Sequence, residues 1–149
     1  MKVLVDTCVW SMALRRSNAS DGLEVFELME LVKELRVQLI GPVRQEILSG
    51  IKSLDQFTKL RNHLRPFPDL ELTSGDFESA AEFYNLCRGK EVQGSNTDFL
   101  ICAVAVRHQM PIFTTDADFN FYQQHLPIKL WCRSCIEHST CPFHASRGF

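Results

Sequence analysis

Lys2-Val3-Leu4-Val5-Asp6-Thr7-Cys8-Val9-Trp10 opens this chain of 149 residues. Val3 to Val5 form a short apolar run that ends in an acid, and from Thr7 to Leu14 apolar residues resume at helical spacing. An uninterrupted run this short reads as a strand buried on both faces, with a helix leaving its end. Asp6 then stands at the carboxyl end of a parallel strand. Functional residues of open parallel sheets gather in the crevice beyond those ends.

Working outward, the same alternation repeats. Leu23, Phe26, Leu28, Leu31, Val32 and Leu35 predict an amphipathic helix capped at Ser20 or Asp21, followed by a strand at Val37 to Ile40. Gly41-Pro42 breaks that strand and suits the start of a short helix that Gly50 ends, with Glu46 in its middle. Leu54, Phe57, Leu60 and Leu64 mark one face of a further helix, stopped by Pro66 and Pro68 before a strand at Leu70 to Leu72. Thr73 or Ser74 caps a helix over Asp76 to Cys87, a polar loop follows, and Asp98 to Arg107 restarts a helix. Pro111 to Thr115 reads as a buried strand, Ala117 to Gln124 as a short helix and Ile128 to Trp131 as a last strand. Alternating strands and helices predict an α/β fold with a central parallel sheet.

Length and a hydrophobic fraction of 45% suffice for one domain with a single core. The apolar run before Asp6 is far shorter than a signal-peptide core, and no stretch approaches the roughly 20 residues of a membrane span. A cytoplasmic protein without a membrane partner is therefore expected. Cys8, Cys87 and Cys102 lie in apolar or helical patterns, where cysteine behaves as a small hydrophobe in a reducing compartment. A formal charge of −2 argues against a generic polyanion-binding surface. Setting four metal-ligating acids aside would move that balance to +2 and leave room for RNA. Arg15, Arg16 and Lys52 are the candidate phosphate contacts, with Lys59, Arg61 and Arg65 nearby in sequence; solvated helix faces are the ordinary alternative.

Asp6, Glu46, Asp98 and Asp116 each occupy a well-formed local context at a strand end or on a following helix. Singly, three of them have a plain explanation as N-cap or first-turn carboxylates, and Glu46 as a solvated helical residue. Together they are what phosphodiester hydrolysis requires: oxygen ligands for a hard divalent cation that activates water and neutralises charge on phosphate. His63, His108 and His125 show no spacing that suggests paired acid–base work.

Four blocks, Val3 to Trp10, Pro42 to Gly50, Asp98 to Ala105 and Phe113 to Phe119, in that order resemble the PIN-domain family, most closely its VapC-type toxin ribonucleases. The resemblance runs from Met1 to Trp131, which sets the expected nuclease domain at 1–131 and leaves 132–149 as an irregular tail. It implies a three-layer α/β/α fold and an endoribonuclease with Asp6, Glu46, Asp98 and Asp116 as catalytic, metal-binding acids for one or two Mg²⁺ or Mn²⁺ ions. Asp118 matches the second acid of the family's Thr-x-Asp-x-Asp-Phe pattern and would hold an outer-shell water, while the hydroxyls of Thr7 and Thr114 would orient ligands. The same resemblance implies an antitoxin protein as partner, with RNA as substrate. In-line attack by water predicts 5′-phosphate and 3′-hydroxyl ends.

Other readings compete. Aspartate-nucleophile phosphatases also place an acid after a first strand but want a second Asp two residues on, where this chain has Cys8. A non-catalytic RNA-binding PIN module would have lost acids that are all present here. A homodimer is expected if the stripe Phe57, Leu60, Leu64 and the region of Phe26 and Met29 exceed what one core covers. In the tail, Cys132, Cys135, His138, Cys141 and His144 are soft or borderline ligands, but their even two-residue gaps argue against closing a zinc tetrahedron.

Overall fold

The structure, a computed structural model, describes residues 1–15 and 22–133, with the side chain of Arg15 outside the description. Arg16, the capping candidates Ser20 and Asp21, and the tail ligands Cys135, His138, Cys141 and His144 lie outside the described residues. Strands β1 (Val3–Val5), β2 (Val37–Gln38) and β3 (Ile112–Phe113) form a parallel sheet in the order β2-β1-β3. Around it stand α1 (Thr7–Arg15), α2 (Leu23–Lys33), α3 (Gly41–Leu48), α4 (Leu54–Leu64), α5 (Ser74–Gly89), α6 (Asn96–His108) and α7 (Asp118–Gln123). This is a three-layer α/β/α arrangement.

β1 is central because it can be: Val3, Leu4 and Val5 are wholly buried, as a strand covered on both faces must be. Val3 pairs with Val37 and Val5 with Phe113, so the residue after β1 emerges between two neighbours rather than at a sheet margin. The outer strands are shorter than their sequence predicts. Leu70 to Leu72 forms no strand, and only a bridge between Asp69 and Leu39 stands just before it, since Pro66 and Pro68 lack ladder donors upstream and the chain turns into its next helix cap at Thr73. Ile128 to Trp131 likewise narrows to a bridge between Leu130 and Ile112, and Trp131 then leaves the sheet to donate its indole N–H to Glu27 at 2.9 Å.

Helix α2 is rotated relative to the stripe its sequence predicts. Val25, Leu28 and Leu31, spaced by three, face the core, whereas Leu23, Phe26 and Leu35 are exposed; Gly22 is the N-cap and offers no side-chain bond. Leu60 and Leu64 of α4 are buried as expected, and Phe57 is half-buried. Helix α3 starts on Gly41-Pro42 and gives way at Gly50, whose φ of +80° suits glycine. Arg44 clamps this helix, its guanidinium donating to both Asp69 oxygens and to the carbonyls of Leu64 and Phe67.

Helices α5 and α6 run antiparallel, because Asp76 at the start of α5 meets Arg107 at the end of α6 while Tyr84 packs edge-on against Phe99. Phe99 to Ala105 of α6 are all buried, so this helix is core all round and its first turn is carried to the sheet's carboxyl edge. Among the described residues, no helix is long and apolar enough to cross a membrane.

Candidate active site

Asp6 is 6% exposed at the end of the central strand. Its amide continues the ladder to the Phe113 carbonyl at 2.9 Å, and its carbonyl accepts the Val9 and Trp10 amides that begin α1. The carboxylate is held from both sides: Oδ1 accepts the Thr7 amide at 2.7 Å, and Oδ2 accepts the Thr114 hydroxyl at 2.9 Å and the Cys8 thiol at 3.4 Å. Burial pushes its pKa above the ordinary carboxylate value, and the charge of Asp116 adds to that, against these hydrogen bonds.

Thr114 joins two acids. Its hydroxyl gives its proton to Asp6 and accepts the Asp116 amide at 3.0 Å. Asp116 in turn accepts the Asp118 amide at 2.9 Å, a local side-chain turn that starts α7 and leaves Asp118 itself exposed. Glu46 is exposed on α3 and accepts the Thr7 hydroxyl at 2.9 Å. Asp98 sits in the first turn of α6, where the Ser95 cap takes its amide at 3.1 Å; its own Oδ2 accepts the Tyr122 hydroxyl at 2.8 Å. Burial raises the Asp98 pKa and the charge of Asp6 adds to the rise, with the Tyr122 and Ser95 hydrogen bonds opposing it.

The structure thus brings Asp6, Glu46, Asp98, Asp116, Thr7 and Thr114 to one edge, with Asp118 beside them. Among the described residues, none of these acids has a lysine or arginine partner, although ion pairs elsewhere tie Asp69, Asp76, Glu27 and Glu34. Among the described residues the edge is anionic without an internal counter-ion. No three His, Cys, Asp or Glu side chains among the described residues are drawn close enough to hold an ion by themselves. Mg²⁺ commonly uses only one or two carboxylates and keeps its waters. The donor set, all oxygen and mutually repelling, fits a hard divalent ion.

Cys8 and Tyr122 join this cluster without a sequence signal strong enough to place them. Cys8 matches an apolar helix position, yet its sulfur lies among Asp6, Thr114 and Thr115, accepting the Thr115 amide at 3.4 Å and hydroxyl at 3.3 Å. Tyr122 lies 24 residues from Asp98 in sequence. Cys102, one turn along α6 from Asp98, does behave as core: burial first, then the Asp98 charge, raises its pKa and keeps the thiol protonated. Lys52 is exposed in the loop beyond Gly50.

A model of the PIN domain matches residues 3–123. The chain belongs to the PIN-domain family. It is 33% identical over 121 residues to ribonuclease VapC11 of Mycobacterium tuberculosis, covering 79% of this chain and 89% of that protein. Among solved structures, this PIN domain resembles FitAcB from Neisseria gonorrhoeae with a TM-score of 0.68 at 17% identity, over 87% of this chain and 96% of the other. A toxin–antitoxin complex from Klebsiella pneumoniae gives a TM-score of 0.56 at 18% identity, over 79% and 90%.

Proposed function

We propose that this PIN domain is a Mg²⁺-dependent endoribonuclease, the toxin of a toxin–antitoxin pair, acting on RNA in the cytoplasm. The observation that carries the reading is a buried Asp6 at the centre of the sheet edge, its pKa raised by burial first and by the Asp116 charge second, with no cationic partner among the described residues. A folded protein tolerates such a charge poorly unless a cation neutralises it. Similarity to a VapC ribonuclease supplies the substrate class, and the toxin–antitoxin neighbour supports a protein partner.

In this reading Asp6, Glu46, Asp98 and Asp116 surround one or two Mg²⁺ ions that keep part of their water shell, Mn²⁺ can substitute, and Asp118 holds a water beyond them. The bound cation supplies charge neutralisation at phosphate and a water of lowered pKa. The chain supplies the positions: Thr7 and Thr114 orient Asp6 and Glu46, and the Thr114 hydroxyl keeps Asp6 and Asp116 in register. Lys52, with Arg15 and Arg16, contributes phosphate contacts. Exposed Phe26 and Met29 favour a protein–protein contact on α2, and a homodimer is part of the proposal. Light scattering that finds only monomer at micromolar concentration counts against the dimer.

The test is incubation of total cellular RNA with purified protein in Mg²⁺ and in EDTA, with end mapping of the fragments. Discrete EDTA-sensitive fragments carrying 5′-phosphate and 3′-hydroxyl ends are expected. A 2′,3′-cyclic phosphate would sink the water-attack chemistry. Intact RNA with retained, salt-sensitive binding would point to a non-catalytic RNA-binding module.

A further inference from the structure

We propose that the Tyr122 hydroxyl is the positioning group for Asp98, and that Gly94 is the opening in the α5–α6 loop that lets it reach. The proposal rests on the metal-dependent reading above. Tyr122 is wholly buried on α7, its ring held between Phe99 at 4.9 Å and Phe119 at 5.1 Å between ring centroids. Its hydroxyl has one proton to give. The Asp98 Oδ2 stands at 2.8 Å and the Gln93 carbonyl at 3.4 Å, so the proton goes to the carboxylate.

A buried tyrosine needs a partner, but a backbone carbonyl would satisfy it. Here the partner is a site acid, and the surroundings are built to permit it. A Cβ added at Gly94 would lie 2.2 Å from the Tyr122 hydroxyl oxygen, 2.7 Å from its ring and 2.9 Å from Phe99, so the loop backbone passes where no side chain fits. The bond fixes Asp98 Oδ2 in place and so sets the orientation of the whole carboxylate. Tyr122 also stands on the helix that the Asp116 turn starts, so one rigid ring couples the strand that precedes Asp116 to the helix that carries Asp98. Outer groups that orient a ligand carboxylate commonly set metal affinity by about 10- to 100-fold.

Tyr122→Phe keeps the ring packing and deletes only the hydroxyl. In calorimetric titration with Mn²⁺, the variant is expected to bind about tenfold more weakly than wild type. In cleavage assays its half-saturating Mg²⁺ should rise by about the same factor, with kcat at saturating Mg²⁺ within about twofold of wild type. Unchanged Mn²⁺ affinity in folded Tyr122→Phe overturns the proposal. If that variant does not fold, Tyr84→Phe carrying 3-fluorotyrosine leaves a single fluorine signal from Tyr122, because the chain has two tyrosines. That signal must move on Mg²⁺ addition and stay still when Asp98→Asn is added; a signal indifferent to Mg²⁺ overturns the proposal. Wild type that binds no Mn²⁺ defeats the metal reading and this proposal with it, whereas Asp98→Asn that binds it normally defeats this proposal alone. Loss in Asp98→Asn with wild-type behaviour in Tyr122→Phe defeats the positioning role alone.

Discussion

Two carboxylates are buried in the described part of this protein, and they are treated in opposite ways. Asp76, 1% exposed at the α5–α6 seam, receives Arg107 at 2.6 and 2.8 Å on its two oxygens and closes a capping box with Thr73. Burial pushes its pKa up, but the Arg107 guanidinium and the Thr73 amide outweigh burial and leave it below the ordinary value. Asp6, almost as buried, receives only neutral donors, so burial, joined by the Asp116 charge, outweighs their hydrogen bonds and holds it above the ordinary value. A charge satisfied from within holds helices together; a charge left for an external cation is available for chemistry.

The comparison breaks first on activity. Asp6→Asn and Asp98→Asn are expected to lower RNA cleavage by about 10³-fold, as loss of a group that stabilises developing charge does, whereas Asp76→Asn should leave cleavage within about twofold at a temperature where it is folded. Equal losses in all three, measured as initial rates on one RNA, would erase the distinction. On stability the order reverses. Asp76→Ala removes a cap and strands Arg107, and urea unfolding should report a loss of about 3 kcal/mol. Metal-free Asp6→Asn should instead gain about 1 kcal/mol, the usual return from relieving a strained site.

Acid titration sharpens the contrast through opposite signs. Asp76 has a folded pKa below its unfolded value, so its stabilisation is complete above that unfolded value and disappears as pH falls through the folded one. Asp6 has a folded pKa above its unfolded value, so the metal-free protein bears the cost of its ionised form at neutral pH and sheds it as pH falls. Thermal unfolding of Asp76→Asn should therefore be flatter than wild type on the acid side of pH 4, and that of metal-free Asp6→Asn flatter between neutrality and pH 4. Parallel curves for wild type and variants would remove the linkage. The smallest effect belongs to Lys52→Ala, which should weaken RNA binding evenly across sequences and reduce the salt slope by about one, read by titration at two or more ionic strengths.

The sequence by itself determined the alternation of elements, the burial of Val3 to Val5, the Gly41-Pro42 start, a cap at Thr73 or Ser74, and the placing of three acids at strand ends or helix starts with Glu46 inside a helix. These are local facts: period, capping chemistry and proline geometry act over a few residues, so they can be read without neighbours. Which face of α2 is buried was not legible, because Leu23 and Phe26 are as apolar as Val25 and Leu28, and only the packing partner chooses. The shortening of the outer strands is likewise a long-range matter of what the next segment does.

At the site, residue types pointed to the acids but not to what holds them. Thr114 against Asp6, Thr7 against Glu46 and Tyr122 against Asp98 are contacts across 108, 39 and 24 residues, created when β1, β3, α3, α6 and α7 meet at one edge. The deciding contrast, that Asp76 meets Arg107 while Asp6 meets no cation among the described residues, exists only there. A carboxylate's partner is set by distance in space, and the chain's order carries no measure of that until the core has closed.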